Sequence, residues 1–150
     1  MTNPFPFMQL HLLATPQRLS SLGAADLKCE LLQLSPQEMG QELIQVAFET
    51  VAERLQLLER MFVEMDGSFV WTGEDQHHSS ALPSRWQLDG MLYDVGRHLQ
   101  RMELKGRCPQ ARWRQLLNTL DWPTQPLVAY QYATGSFVDI ATLEQSLWPN

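Results

Sequence analysis

The chain has 150 residues, 44% of them hydrophobic, with five Trp, six Phe and three Tyr. That is the size and composition of one globular domain whose core needs no metal or disulfide staple, and it excludes the polar, aromatic-poor disordered class. A formal charge of −6 argues against a general nucleic-acid coat protein, because phosphate binding relies on Lys and Arg; yet between Arg85 and Arg114 seven basic residues stand against three acids, a local +4 that leaves −10 elsewhere.

The first segment, "MTNPFPFMQLHLLATP", holds three prolines and no basic start, which argues against an export signal. No apolar run reaches the ~18 to 20 residues that span a bilayer. The expectation is a cytoplasmic protein with no membrane partner. Residues 1–24, Pro-rich through about Gly23, read as a loosely ordered arm. "LKCELLQL", Leu27 to Leu34, reads as a short strand, although its pattern also fits a helix. Cys29 and Cys108 are expected to be reduced, partly buried thiols without a redox motif.

Ser35-Pro36-Gln37-Glu38 has the chemistry of a helix start: a Ser N-cap, Pro at the first helical position and Glu three residues after the cap. From Met39 through Leu43, Val46, Ala47, Val51, Leu55, Leu58 and Phe62 the apolar residues recur at three- and four-residue spacing, which predicts one amphipathic helix of about six turns with its acidic residues solvated. Asp66-Gly67 then predicts a type I′ hairpin pairing 61–65 with 68–72. "EDQHHSSALPS" reads as a polar loop. His77-His78 within it reads as loop histidines, since adjacent side chains point apart and no third ligand stands at metal-site spacing. "WQLDGMLYDVGRHLQRMELKG" predicts a second hairpin turning near Asp94 to Arg97. Cys108-Pro109 ends it, and "PQARWRQLLNTL" starts a helix with Trp113, Leu116, Leu117 and Leu120 on one side. "PLVAYQY" predicts a strand, and residues 137–150 a short edge strand running into a helix capped near Asp139 or Thr142. The expected class is α+β: a central mixed sheet built on two hairpins, flanked by the long N-terminal helix and the helix after "MELKG".

Alternation along a strand puts Glu103 and Lys105 on one face and Met102 and Leu104 on the other. In the strand before it, Leu88 and Leu92 share one face, and Asp89, Met91 and Tyr93 the opposite one. Matching the apolar faces requires even residues to pair with even. A five-residue connection then sets Leu88 opposite Leu104 and Asp89 opposite Glu103. Two carboxylates across an antiparallel pair repel unless compensated. A divalent cation between them would make a hard-oxygen site of the Mg²⁺ type, suited to phosphoryl transfer, with Lys105 orienting or helping to deprotonate the attacking water. The simpler reading is that Lys105 or Arg101 neutralises the pair.

Asp89 in "LDGMLYD" followed by Glu103-Leu104-Lys105 in "MELKG", in a helix, strand, Asp-strand, ExK-strand, helix, strand order, resembles the PD-(D/E)xK nuclease superfamily with its restriction-endonuclease-like fold. The resemblance covers roughly residues 37 to 132, without a Pro before Asp89. It implies a mixed sheet flanked by helices and Mg²⁺-dependent hydrolysis of a DNA or RNA phosphodiester, or a descendant that only binds nucleic acid. In that scheme Asp89, Glu103 and the Leu104 carbonyl hold the metal, and Lys105 acts with Asp89 and Glu103 in catalysis. Glu49 or Glu53 from the first helix and Gln110 or Gln115 from the helix after ExK are candidates for the further residues many members carry.

Arg101, Arg107, Arg112 and Arg114, the last two flanking Trp113, are candidate nucleic-acid contacts; the alternative is a solvated helix face with Trp113 in the core. A rival reading is a non-enzymatic acidic α+β interaction protein, similar in size, charge and helix-hairpin alternation to secretion-chaperone-like domains. Such a protein would bind partner segments and could form a homodimer. Exposed Met91, Tyr93 and Leu99 would favour it.

Overall fold

The structure, a computed structural model of the chain, describes residues 3–38, 41–77 and 81–149. Eight strands, β1 (Phe7–Ala14), β2 (Ile44–Ala47), β3 (Met61–Val63), β4 (Ser68–Gln76), β5 (Pro83–Val95), β6 (His98–Arg107), β7 (Leu127–Gln131) and β8 (Ser136–Asp139), combine with four helices, α1 (Ala24–Gln33), α2 (Phe48–Gln56), α3 (Gln110–Thr119) and α4 (Ile140–Leu147). They form one sheet in the order β3-β4-β5-β6-β1-β7-β8, with β2 on part of β6. The class is α+β, but the sheet is not mixed: every pairing among the described residues is antiparallel. Among the described residues no helix is long and apolar enough to cross a membrane.

The expected N-terminal arm contains β1, which lies between β6 and β7 near the middle of the sheet. Its prolines, Pro4, Pro6 and Pro16, flank the strand and leave every N–H within it able to join a ladder. Met8, Leu10, Leu12 and Ala14 alternate into the core. Leu27 to Gln33 is helical, not a strand, with Leu34 its extended C-cap, because the helical period wins: Leu27, Leu31 and Leu34 meet Leu13, Val128 and Phe137. Cys29 on this helix is a free, exposed thiol, more open than expected. Cys108 is free and buried, and burial, with the Asp75 charge adding, pushes its thiol up to about 12.

The expected six-turn helix is absent. Ser35 N–H does donate to Glu38 Oε2 at 3.2 Å, but the turn it starts is a single 3₁₀ turn, Pro36–Glu38. Met39 lies outside the described residues, as does His78. Ile44 and Val46 then point inward and Gln45 outward in β2, a period of two that β-branched residues favour. Only Phe48–Gln56 is α-helical, and Arg60 at φ 63° turns the chain sharply into β3. A three- to four-residue spacing that spans a strand and a helix imitates one long helix.

Between β3 and β4 the turn is not type I′. Gly67 has φ 96° but Asp66 is not at positive φ. Gly67 N–H donates to the Glu64 carbonyl at 3.1 Å and Glu64 N–H to Ser68 at 2.8 Å, the pattern of a three-residue loop with a glycine bulge. The polar loop is shorter than expected, since Glu74, Asp75 and Gln76 extend β4 and β5 begins at Pro83.

Leu12, Met102, Leu104, Leu88, Leu92, Phe69 and Trp71 share one sheet face. They meet Val51 and Leu55 of α2, Trp113, Leu116 and Leu117 of α3 and Leu143 of α4 in the main core. The second face is covered by α1 only over β1, β7 and β8. Gly90 sits on the core face where a Cβ would overlap the ring of buried Phe69. Gly90→Ala is therefore expected to lower stability by about 1–3 kcal/mol in urea unfolding; an unchanged midpoint would show that the ring can move aside.

Candidate functional site

The β5–β6 register differs by two residues from the expected one. Val95 and His98 flank a two-residue turn at Gly96-Arg97, with Gly96 at φ 63°. Pairing at the turn joins odd with even, which would put one strand's apolar set on the wrong face. A bulge between Tyr93 and Asp94 absorbs one residue and restores like parity beyond it. Asp89 thus stands opposite Lys105, Gly90 opposite Leu104, and Met91 opposite Glu103. Leu88 faces Gly106, whose φ is 142°. Asp89 and Glu103 are diagonal neighbours, a wider separation than a direct pair.

Asp89, Glu103 and Lys105 still share the second sheet face and line one depression with Gln9, Gly90 and Met91. Asp89 Oδ1 accepts from Gln87 Nε2 at 2.9 Å. Glu103 accepts from the Tyr93 hydroxyl through Oε1 and from the Tyr132 hydroxyl through Oε2, both at 3.2 Å. His11, opposite Glu103 on β1, is buried, with Nε2 2.6 Å from Tyr132 Oη and 3.5 Å from Glu103 Oε2. With the Tyr132 proton directed to Glu103, the compatible His11 tautomer is the one protonated at Nε2, which donates to Tyr132 Oη. In that tautomer the donors run from His11 through Tyr132 to Glu103. Nδ1 is buried without a partner among the described residues. Burial holds His11 below its ordinary range; Glu103 pulls it up, and Arg101 down. Burial and the nearby Glu103 raise Tyr132. Arg101 stacks 4.0 Å over Tyr93 and donates to Gln100 at 2.8 Å.

The direct Asp89–Glu103 pair expected to hold Mg²⁺ is not formed. Lys105, not Glu103, faces Asp89, and both Glu103 oxygens already accept hydrogen bonds. The Leu104 carbonyl belongs to a strand paired on both edges, where carbonyls lie in the sheet plane. No group of three His, Cys, Asp or Glu among the described residues is arranged to hold a metal. Glu49 and Glu53 are exposed on α2, and Gln110 and Gln115 lie on α3; both helices pack on the opposite face of the sheet from Asp89. Of the candidate nucleic-acid contacts, Arg112 pairs with Asp75 at 3.3 Å and Arg114 with Glu144 at 3.4 Å, while Trp113 is fully buried. Arg101 and Arg107 alone share the sheet face with Asp89. Leu99 is buried, and Met91 and Tyr93 are half-buried.

His11 and Tyr132 were missed. The alternation in "FMQLHLLA" could have placed His11 on the polar face had its prolines not been read as disorder. Tyr132 lies just past the end of β7, and only the fold brings it to β1. A comparison with family models, curated proteins and solved structures finds no match.

Because the folded state holds His11 below the unfolded value of 6.5, the unfolded chain binds more protons between the two values. The stability from neutral His11 is complete above about pH 6.5 and is lost as pH falls toward the folded value. The melting temperature of the wild type is expected to fall more steeply than that of His11→Gln between about pH 7.5 and 5.5. Parallel slopes would mean that His11 titrates freely.

Proposed function

We propose that this chain is a partner-binding protein and that an extended segment of another protein lies on the β3–β6 half of the second sheet face. The observation that carries the reading is the half-covered sheet. Helix α1 shields β1, β7 and β8, and no described helix shields the rest. A continuous cross-strand row there runs Phe62, Val70, Asp89, Lys105, Gln9, with Phe62 66% and Val70 39% exposed and half-buried Met91 beside it. Apolar side chains set among charges of both signs suit a surface that must remain soluble alone yet dock a partner. Peptides selected from a random displayed library on the immobilised protein are expected to lose about ten-fold or more in affinity on Met91→Arg and little on Leu32→Arg, a control on the outer side of α1. A library that yields only peptides indifferent to Met91→Arg would overturn the reading.

A second reading, a nuclease-like hydrolase acting on nucleic-acid phosphodiesters, is favoured by one observation: Asp89, Glu103 and Lys105 line a single depression. It requires those side chains to rearrange around a divalent ion. Mg²⁺ or Mn²⁺ at millimolar concentration would then raise the melting temperature of the wild type and not of Asp89→Ala. A flat response in both retires it.

A further inference from the structure

Next to the Asp89 depression, on the same sheet face, a cleft of about 580 Å³ is lined by Asn3, Phe7, Arg60, Thr72, Glu74, Arg85, Gln87 and Arg107 among others. It falls within the size range of ligand sites. Three guanidinium groups meet one carboxylate there. Arg85 Nε donates to Glu74 Oε1 at 2.8 Å, which leaves most of its fork free; Arg107 Nη1 donates to the Phe5 carbonyl at 2.8 Å and its guanidinium lies 5.6 Å from the exposed Phe7 ring. Arg60 is exposed and no described side chain pairs with it. Its backbone is left-handed, at φ 63°, and its carbonyl accepts from Thr72 N–H at 3.3 Å, which fixes it at the rim. The cleft keeps a net positive charge in a chain whose total is −6.

We infer that this cleft is an anchor for a carboxylate-bearing segment: the partner on the open sheet face carries acidic residues that the forks of Arg60, Arg85 and Arg107 hold, followed by apolar residues that reach Val70 and Met91. The inference rests on the partner-binding reading. Guanidinium forks match carboxylates through paired N–H donors, and two residues along β4 from Thr72 the face turns apolar at Val70. A long polyanion fits less well, because beyond the cleft it would pass Asp89 and Glu103. A short acidic segment ends before them.

The test is fluorescence anisotropy at low salt with three labelled peptides of about ten residues, each with a Glu triplet followed by Leu and Phe, the triplet kept, changed to Gln or changed to Lys, beside an oligothymidylate of similar length. The acidic peptide is expected to bind about ten-fold or more tightly than the Gln form, and Arg60→Glu/Arg85→Glu, both on exposed side chains, to remove that preference. Equal binding of the acidic and Gln peptides, indifference to the double substitution, or preference for the oligothymidylate would each overturn it. Library-selected peptides that lose binding on Met91→Arg but ignore Arg60→Glu/Arg85→Glu would overturn the anchor alone and leave the docking face standing.

Discussion

The pairing of β5 with β6 is the constraint on which the remainder rests. These two strands carry Leu88, Leu92, Met102 and Leu104 into the main core and Asp89, Met91, Glu103 and Lys105 onto the open face. A one-residue slip would exchange the two sets, exposing leucines and burying four polar or flexible side chains, and no packing of α2 or α3 could offset buried, unpaired charges. The bulge at Tyr93 reconciles a tight turn with that parity. The neighbouring strands inherit the register: β4 sets Phe69 over Gly90, and β1 sets Leu10 beside Leu104 and His11 beside Glu103.

Two carboxylates on this face have different surroundings. Asp89 is exposed, stands opposite Lys105 in register and accepts from Gln87. Glu103 is farther inside and relies on two tyrosine hydroxyls with a neutral imidazole behind one of them. Hydrogen bonds to a carboxylate are stronger than neutral ones, and here they also fix Tyr93, under Arg101, and Tyr132, beside the end of β7. The polar cluster therefore connects β5, β6, β1 and the segment after β7 across a face that lacks an apolar cover at that point.

Features set by near neighbours were legible in the sequence. Gly67 and Gly96 do adopt positive φ at turns, α3 does begin after Pro109, and Asp139 does cap α4, accepting from Thr142 N–H at 3.0 Å. The rule that like parity must pair was also legible, but the offset was not, because the bulge depends on the twist and packing of the whole sheet and has no local residue signature. Periodicity misled where an element was shorter than the window used to read it: Val46 in a strand and Val51 in a helix fell on one apparent stripe. The facing of Asp89, Glu103 and Lys105 onto one side could be read from alternation. The partners His11 and Tyr132 could not, since they come from segments 121 residues apart.

The place of β1 in the sheet governs the order in which the molecule can assemble. Strands β3 to β6 join through short turns and can zip up as soon as each is made. The first strand has no such neighbour: Phe7 waits for Arg107 and Leu12 for Ala129. Closing a loop of that length costs only modest entropy but delays the contact until both ends exist. During synthesis "FMQLHLLA" therefore stays unpaired until β6 and then β7 have been made. An apolar strand left waiting in this way is the kind of segment that chaperones bind and that two copies can exchange.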